Sequence, residues 1–165
     1  MSRLHLIVLG VMMSIFTANS QEFKLGAGLA VGTEASIDED FMGDPALGVN
    51  LRGVYKITDK WGLTGGATYF FSKVPEPLKS TIYVLNFDGT YSFVSNPVLD
   101  FYGLVGFDVG YIKMEDTVEG IEADDTLTGM EVGIGIITRF GLFFEAKAEA
   151  ALEQGQFTLG YLIQL

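Results

Sequence analysis

The chain has 165 residues and a formal net charge of −11, with 21 acidic against 10 basic residues. That length allows one domain and no second core, and acidity without a basic stripe argues against nucleic acid as a partner. With no cysteine, disulfide frameworks, zinc–thiolate sites and cysteine nucleophiles are excluded. Glycine is abundant at 21 residues, aromatics reach 13%, and proline is scarce at 4. This mixture disfavours helices, in which each interior glycine costs about 1 kcal/mol relative to alanine, and suits strands.

The first residues read as a secretory signal peptide. Arg3 supplies a positive end, Leu4 to Phe16 an apolar stretch, and Ala18-Asn19-Ser20 a small-residue cleavage pattern before Gln21. Residues 1–20 are therefore expected to be removed, leaving residues 21–165 as the mature domain. No later uncharged apolar run approaches the ~18 residues of a spanning helix.

From residue 22 the dominant period is two, and eight segments carry it. Glu22 to Thr33 places Phe23, Leu25, Ala27, Leu29 and Val31 on one face. Ala46 to Ile57 alternates Leu47, Val49, Leu51 and Tyr55 with Asn50, Arg52 and Lys56, and Thr58-Asp59-Lys60 turns the chain. Trp61 to Phe71 sets Leu63, Ala67 and Tyr69 against Gly62, Thr64 and Thr68. Thr81 to Phe93 sets Tyr83, Leu85, Phe87 and Tyr91 against Asn86, Asp88 and Thr90, ahead of a turn at Ser95-Asn96-Pro97. Val98 to Ile112 carries Phe101, Val105, Phe107 and Val109 opposite Asp100, Gly106 and Asp108. Thr126 to Thr138 carries Met130, Val132, Ile134 and Ile136 opposite Glu131, Gly133 and Gly135. After Arg139-Phe140-Gly141, Leu142 to Leu152 places Phe144, Ala146 and Ala148 opposite Glu145, Lys147 and Glu149. Gln156 to Leu165 shows Phe157, Leu159, Tyr161 and Ile163 on one side.

Connections alternate between short turns and long loops, the long ones being Glu34 to Pro45, Ser72 to Ser80 and Lys113 to Asp125. That asymmetry belongs to membrane barrels. A soluble barrel has the same alternation turned inside out, so the faces must decide. The strand charges, including Arg52, Asp88, Asp108, Glu131, Glu145 and Lys147, all share the face opposite the aromatics. The same face is crowded with glycine (Gly26, Gly28, Gly48, Gly66, Gly106, Gly110, Gly133, Gly135). A narrow eight-stranded interior needs such side-chain deletions, whereas a wet exterior gains nothing from them. Aromatics also fall near strand ends, as interfacial girdles do. The expected fold is all-β: an eight-stranded antiparallel up-and-down transmembrane β-barrel.

On this pattern the mature chain resembles the small OmpA/OmpX-type outer-membrane barrels, the outer membrane protein β-barrel domain or porin-like family of Gram-negative bacteria. The most specific piece is Thr158 to Leu165, in which Gly160, Ile163 and Leu165 resemble the insertion signal read by the barrel assembly machinery, with Leu165 where the family usually ends in an aromatic. The resemblance implies insertion into outer-membrane lipid from the periplasm, the barrel assembly machinery as a transient partner, long loops facing outward and a monomer.

Histidine occurs once, as His5 in the segment expected to be removed. General-base chemistry near neutrality therefore lacks its usual residue, and neither an enzyme nor a cofactor is expected. Arg52, Glu131, Glu145 and Lys147 lie near mid-strand and are expected to meet in the lumen. Ions at membrane depth are costly unless paired, so a structural plug is favoured over a gate. The first and third long loops hold 11 of the 21 acids. Asp38, Asp40, Asp124 and Asp125 are the weak candidates there for divalent cations bridging to lipid phosphate, although no calcium-loop spacing is present. The leading expectation is a non-enzymatic outer-membrane protein serving the envelope or surface interactions. The alternatives are a narrow channel for small solutes, or a secreted barrel binding an apolar ligand.

Overall fold

Strict alternation builds each wall segment, because successive strand side chains point to opposite faces. The computed structural model describes residues 22–33, 45–71, 78–116, 118 and 122–165. In it the strands are β1 (Glu22–Gly32), β2 (Ala46–Lys56), β3 (Trp61–Phe71), β4 (Leu78–Ser95), β5 (Leu99–Asp116), β6 (Glu122–Thr138), β7 (Leu142–Glu149) and β8 (Gln154–Gln164). Neighbours in sequence pair in order, and β8 pairs antiparallel with β1 to close the barrel. The expected signal segment lies outside the described residues.

The oily face looks outward. Phe87 is 60% exposed and Val105 56%, whereas Arg52 is 3% and Lys147 5%. Because the exterior is apolar and the interior charged, an apolar-ligand barrel of the soluble type is overturned. Aromatic rings cluster at both ends of the belt. At the short-turn rim Trp61 packs on Tyr91 with ring centroids 4.8 Å apart, and Phe93 bridges Tyr91 and Phe101. At the opposite rim Tyr69 packs against both Phe71 and Tyr83.

The short turns are held by side-chain acceptors. Thr58 Oγ1 accepts from the Trp61 N–H at 3.0 Å, and Asn96 Oδ1 accepts from Val98 and Leu99. Gly141, with φ of 92°, lies in the left-handed region that the β6–β7 turn requires.

Two expectations about strand length need correction. The stretch from Lys113 to Asp125 is mostly paired strand, with Lys113 opposite Asp124 and Glu115 opposite Glu122. Above the lipid belt both faces of a strand are wet, so the apolar alternation stops although the pairing continues. β7, in contrast, ends at Glu149 instead of Leu152. There Ala151 N–H turns inward to donate to Asp108 Oδ2 at 3.1 Å, and Glu153 adopts φ of 51°. The barrel rim is therefore uneven. β5 has 18 residues and β7 has 8. At ~3.3 Å per residue and a ~40° tilt, the tall wall rises about 25 Å above the low one.

Inside, glycine serves as the socket for a large neighbour. A methyl at Gly135 would overlap the Tyr102 ring, and one at Gly133 would lie 2.6 Å from Lys147 Cβ. The outward glycines Gly65 and Gly89 meet nothing nearer than 3.8 Å. Gly135→Ala should therefore lower stability by about 1–3 kcal/mol through overpacking. Gly65→Ala and Gly89→Ala should stay within about 0.5 kcal/mol of the parent. Urea unfolding midpoints of the lipid-folded barrel compare the three.

Candidate functional site in the barrel lumen

The lumen is stacked in three layers. Near the long-connection rim Ala30, Ala46, Phe70, Ile82 and Val84 form an apolar layer, with Ile112 and Leu152 packed on it. Near the short-turn rim a second apolar layer holds Val54, Tyr102, Leu104, Ile137, Phe143 and Leu162. Between them lies a polar layer that includes Asn50, Arg52, Thr68, Asp88, Asp108, Glu131, Glu145, Lys147 and Glu149, all buried.

Charge pairing organises that middle layer. Arg52 grips Glu145 with both terminal nitrogens, one bond measuring 2.8 Å. The Tyr102 hydroxyl donates to Glu145 Oε2 at 2.7 Å, and the Arg52 guanidinium lies 4.6 Å from the Phe143 ring centre. Lys147 Nζ donates to Glu131 Oε2 at 2.8 Å and stands 3.1 Å from Glu149 Oε1. Gln154 donates to Glu149 Oε2 at 2.8 Å.

The four lumen residues singled out in the sequence are thus brought into two separate pairs, one joining β2 to β7 and the other joining β6 to β7. Sequence reasoning missed Tyr102, which holds Glu145 beside Arg52, and it missed both apolar layers. The available signal was doubled apolar residues, such as Phe70-Phe71, Ile136-Ile137 and Phe143-Phe144, where one member must face inward.

At the short-turn rim an open vestibule of about 390 Å³ is lined by Lys24, Lys56, Asp100, Asn96, Arg139 and Gln164, among others. Lys56 is ion-paired with Asp100 there, and the vestibule is floored by Ile137 of the second apolar layer.

The acidic candidates fare differently. Asp38 and Asp40 lie outside the described residues. Asp124 and Asp125 are not loop residues but consecutive residues of β6, so their side chains leave opposite faces and cannot converge on one ion. Asp125 Oδ1 accepts from the Thr126 N–H at 2.8 Å. Among the described residues no group of three or more acidic or histidine side chains is arranged to hold a metal. Nearby, above the belt, Lys113 Nζ lies 2.9 Å from Glu122, whose hydrogen bond and charge raise the lysine's pKa. In β8, Gly160 faces the lumen beneath Phe143, while Ile163 and Leu165 are 61% and 75% exposed on the oily side.

A family model described as the outer membrane protein beta-barrel domain matches residues 5–160. The chain belongs to that family. As a member of that family, it is an outer-membrane β-barrel protein. Three solved structures share the fold. Ail, the attachment invasion locus protein of Yersinia pestis, is 18% identical, with 88% of this chain and 97% of that one covered and a TM-score of 0.57. Neisserial surface protein A is 11% identical over 88% and 96%, with a TM-score of 0.61. The N-terminal barrel of Pseudomonas aeruginosa OprF is 15% identical over 85% and 97%, with a TM-score of 0.56. No curated protein matches the sequence significantly.

For this outer membrane barrel the Arg52–Glu145 pair separates burial from pairing. Glu145→Ala strands a buried guanidinium and should cost about 3–5 kcal/mol. Replacing both partners, Arg52→Met with Glu145→Leu, should recover most of that loss, because no charge is left alone. Equilibrium unfolding of the two variants measures the difference.

Proposed function

We propose that the barrel is a non-catalytic, non-conducting surface protein whose outward acidic ribbon engages positively charged partners. The observation that carries this reading is the unequal wall. β4, β5 and β6 continue past their neighbours as a three-stranded ribbon, in which residues 78–81 of β4 pair only with β5 and residues 122–128 of β6 have no β7 partner among the described residues. Glu122, Asp124 and Asp125 are exposed on it. A rigid, charged sheet standing clear of lipid has little structural use to the membrane domain below and is well placed to meet other surfaces. Orientation with this rim outward follows the family habit of short periplasmic turns.

The lumen supports the same reading. Two apolar layers with an ion-paired layer between them favour a filled bore, as expected of an eight-stranded interior just wide enough for side chains. Insertion through the barrel assembly machinery fits the one-sided oily face of β8, where Ile163 and Leu165 point out and Gly160 points in.

Ail has been crystallised with sucrose octasulfate, a heparin analogue. Such a polyanion should be repelled by the present chain, whose net charge is −11. The folded barrel in nanodiscs should bind polylysine in preference to heparin, and binding should weaken several-fold as ionic strength rises from roughly 0.05 to 0.3 M. Glu122→Gln with Asp124→Asn and Asp125→Asn should reduce it further, whereas equal binding by this variant would reject the ribbon as the contact. In planar bilayers the parent should be electrically silent, and Arg52→Ala should lose stability without gaining channel openings. Regular single-channel steps from either protein would favour the narrow-pore reading instead.

A further inference from the structure

The middle layer of the lumen does not balance in charge. Asp88, Asp108, Glu131, Glu145 and Glu149 are each at most 2% exposed, and in that layer only Arg52 and Lys147 oppose them. Five carboxyls against two cations would leave three uncompensated negative charges if every group were ionised. A buried ionised carboxylate without a partner is far costlier than its neutral form.

Hydrogen bonding separates the five. Glu145 is satisfied on both oxygens by Arg52 and the Tyr102 hydroxyl. Glu149 has Gln154 on one oxygen and the Lys147 ammonium 3.1 Å from the other. Asp108 Oδ2 accepts from the Ala151 N–H, while its Oδ1 is buried without a hydrogen-bond partner. Asp88 Oδ2 accepts from Asn86 and Glu131 Oε2 from Lys147, but Asp88 Oδ1 and Glu131 Oε1 are buried without a hydrogen-bond partner.

These two carboxyls belong to one cross-strand row. Asp88 stands opposite Gly106, and Gly106 stands opposite Glu131. Gly106 has no side chain to separate them, and Asp88 Oδ1 leans into the space that a methyl on Gly106 would fill. The row therefore brings two acids together over a bare strand, with the Lys147 ammonium on the far oxygen of Glu131.

We propose that Asp88 and Glu131 bind one proton between them in the folded barrel at neutral pH, so that the lumen contains a buried proton site. A neutral carboxyl is a donor, and one proton supplies the hydrogen bond that the two orphan oxygens lack. Like charges in contact deep in a protein favour this sharing. A metal ion would neutralise the same charge, but the described residues offer no set of three ligands for it. The other charged or titratable groups of this layer are Arg52 from β2, Asp108 and the Tyr102 hydroxyl from β5, and Glu145, Lys147 and Glu149 from β7. At this level β1, β3 and β8 present only glycine, alanine, threonine and glutamine.

Unfolding returns both acids to water, where carboxyls ionise near pH 4. The folded state then holds one proton more than the unfolded one, so stability falls as pH rises. The folding constant should drop about tenfold per pH unit above ~pH 5, until the pair gives up its proton.

The test uses the lipid-folded full-length barrel. Infrared spectra at neutral pH should show a protonated-carboxyl carbonyl band that is missing from Asp88→Asn, whose amide replaces the lost donor. Urea unfolding followed against pH should show the steep fall in the parent and a flatter profile in Asp88→Asn and in Glu131→Gln. Only ionised carboxylate bands in the parent would overturn the proposal, and this measurement stands even if a variant fails to fold. An unchanged band and slope in both variants would place the proton elsewhere and overturn the assignment. A slope that follows the identity or concentration of added metal ions would replace the proton with a metal cation.

Discussion

Hydrocarbon offers no hydrogen bonds, so a sheet that crosses it can leave no edge unpaired. Everything else in this barrel follows from that closure. β8 meets β1 from Lys24 opposite Gln164 to Gly32 opposite Gln156, and the last strand thereby fixes the register of the first. Once eight strands are joined in a ring the bore is narrow, and side chains from opposite walls must share it. Arg52 on β2 and Glu145 on β7 are 93 residues apart in sequence, yet closure alone places them in contact. The ion pair is thus a product of the backbone ring before it contributes to stability.

Much of this architecture was legible because lipid and lumen make opposite demands. Leu25, Phe87, Val105 and Ile134 had to share a face, and Arg52, Asp88 and Lys147 had to share the other, so the parity of each strand could be read directly. The legible part ended where the solvent stopped differing between faces. Glu122 to Asp125 are strand, but water lies on both sides and no apolar rhythm marks them. The lumen's apolar layers were hidden for the converse reason. At Phe70-Phe71 and Phe143-Phe144 both faces are apolar, so alternation is masked exactly where a residue packs inward. Individual pairings were beyond reach as well, since mid-strand charges reveal depth but register across the bore depends on closure. Asp124 and Asp125 read as residues of an acidic loop, whereas they are consecutive strand residues whose side chains leave opposite faces.

The molecule divides into a membrane cylinder and a wall that outgrows it. The cylinder carries a layer of apolar side chains near each rim, and its middle is held by charges whose count is unequal. The wall owes its rigidity to the same ladder, continued from β4 through β6 into water. This continuity distinguishes the ribbon from a loose loop: the side chains of Glu122 and Asp124 project from a backbone already ordered by pairing, and a partner docking there would not have to supply that order.

The matching of glycine to bulky neighbours has a consequence for how such a protein changes over time. Tyr102 occupies the hollow left by Gly135, Phe143 that left by Gly160, and Asn86 that left by Gly66. Bulk in the bore is held in trust between adjacent ribbons, so enlarging one residue requires shrinking its counterpart. Drift in the interior should therefore proceed by paired exchanges of size, while the lipid-facing surface, bound by no such bargain, is free to vary one oily residue at a time.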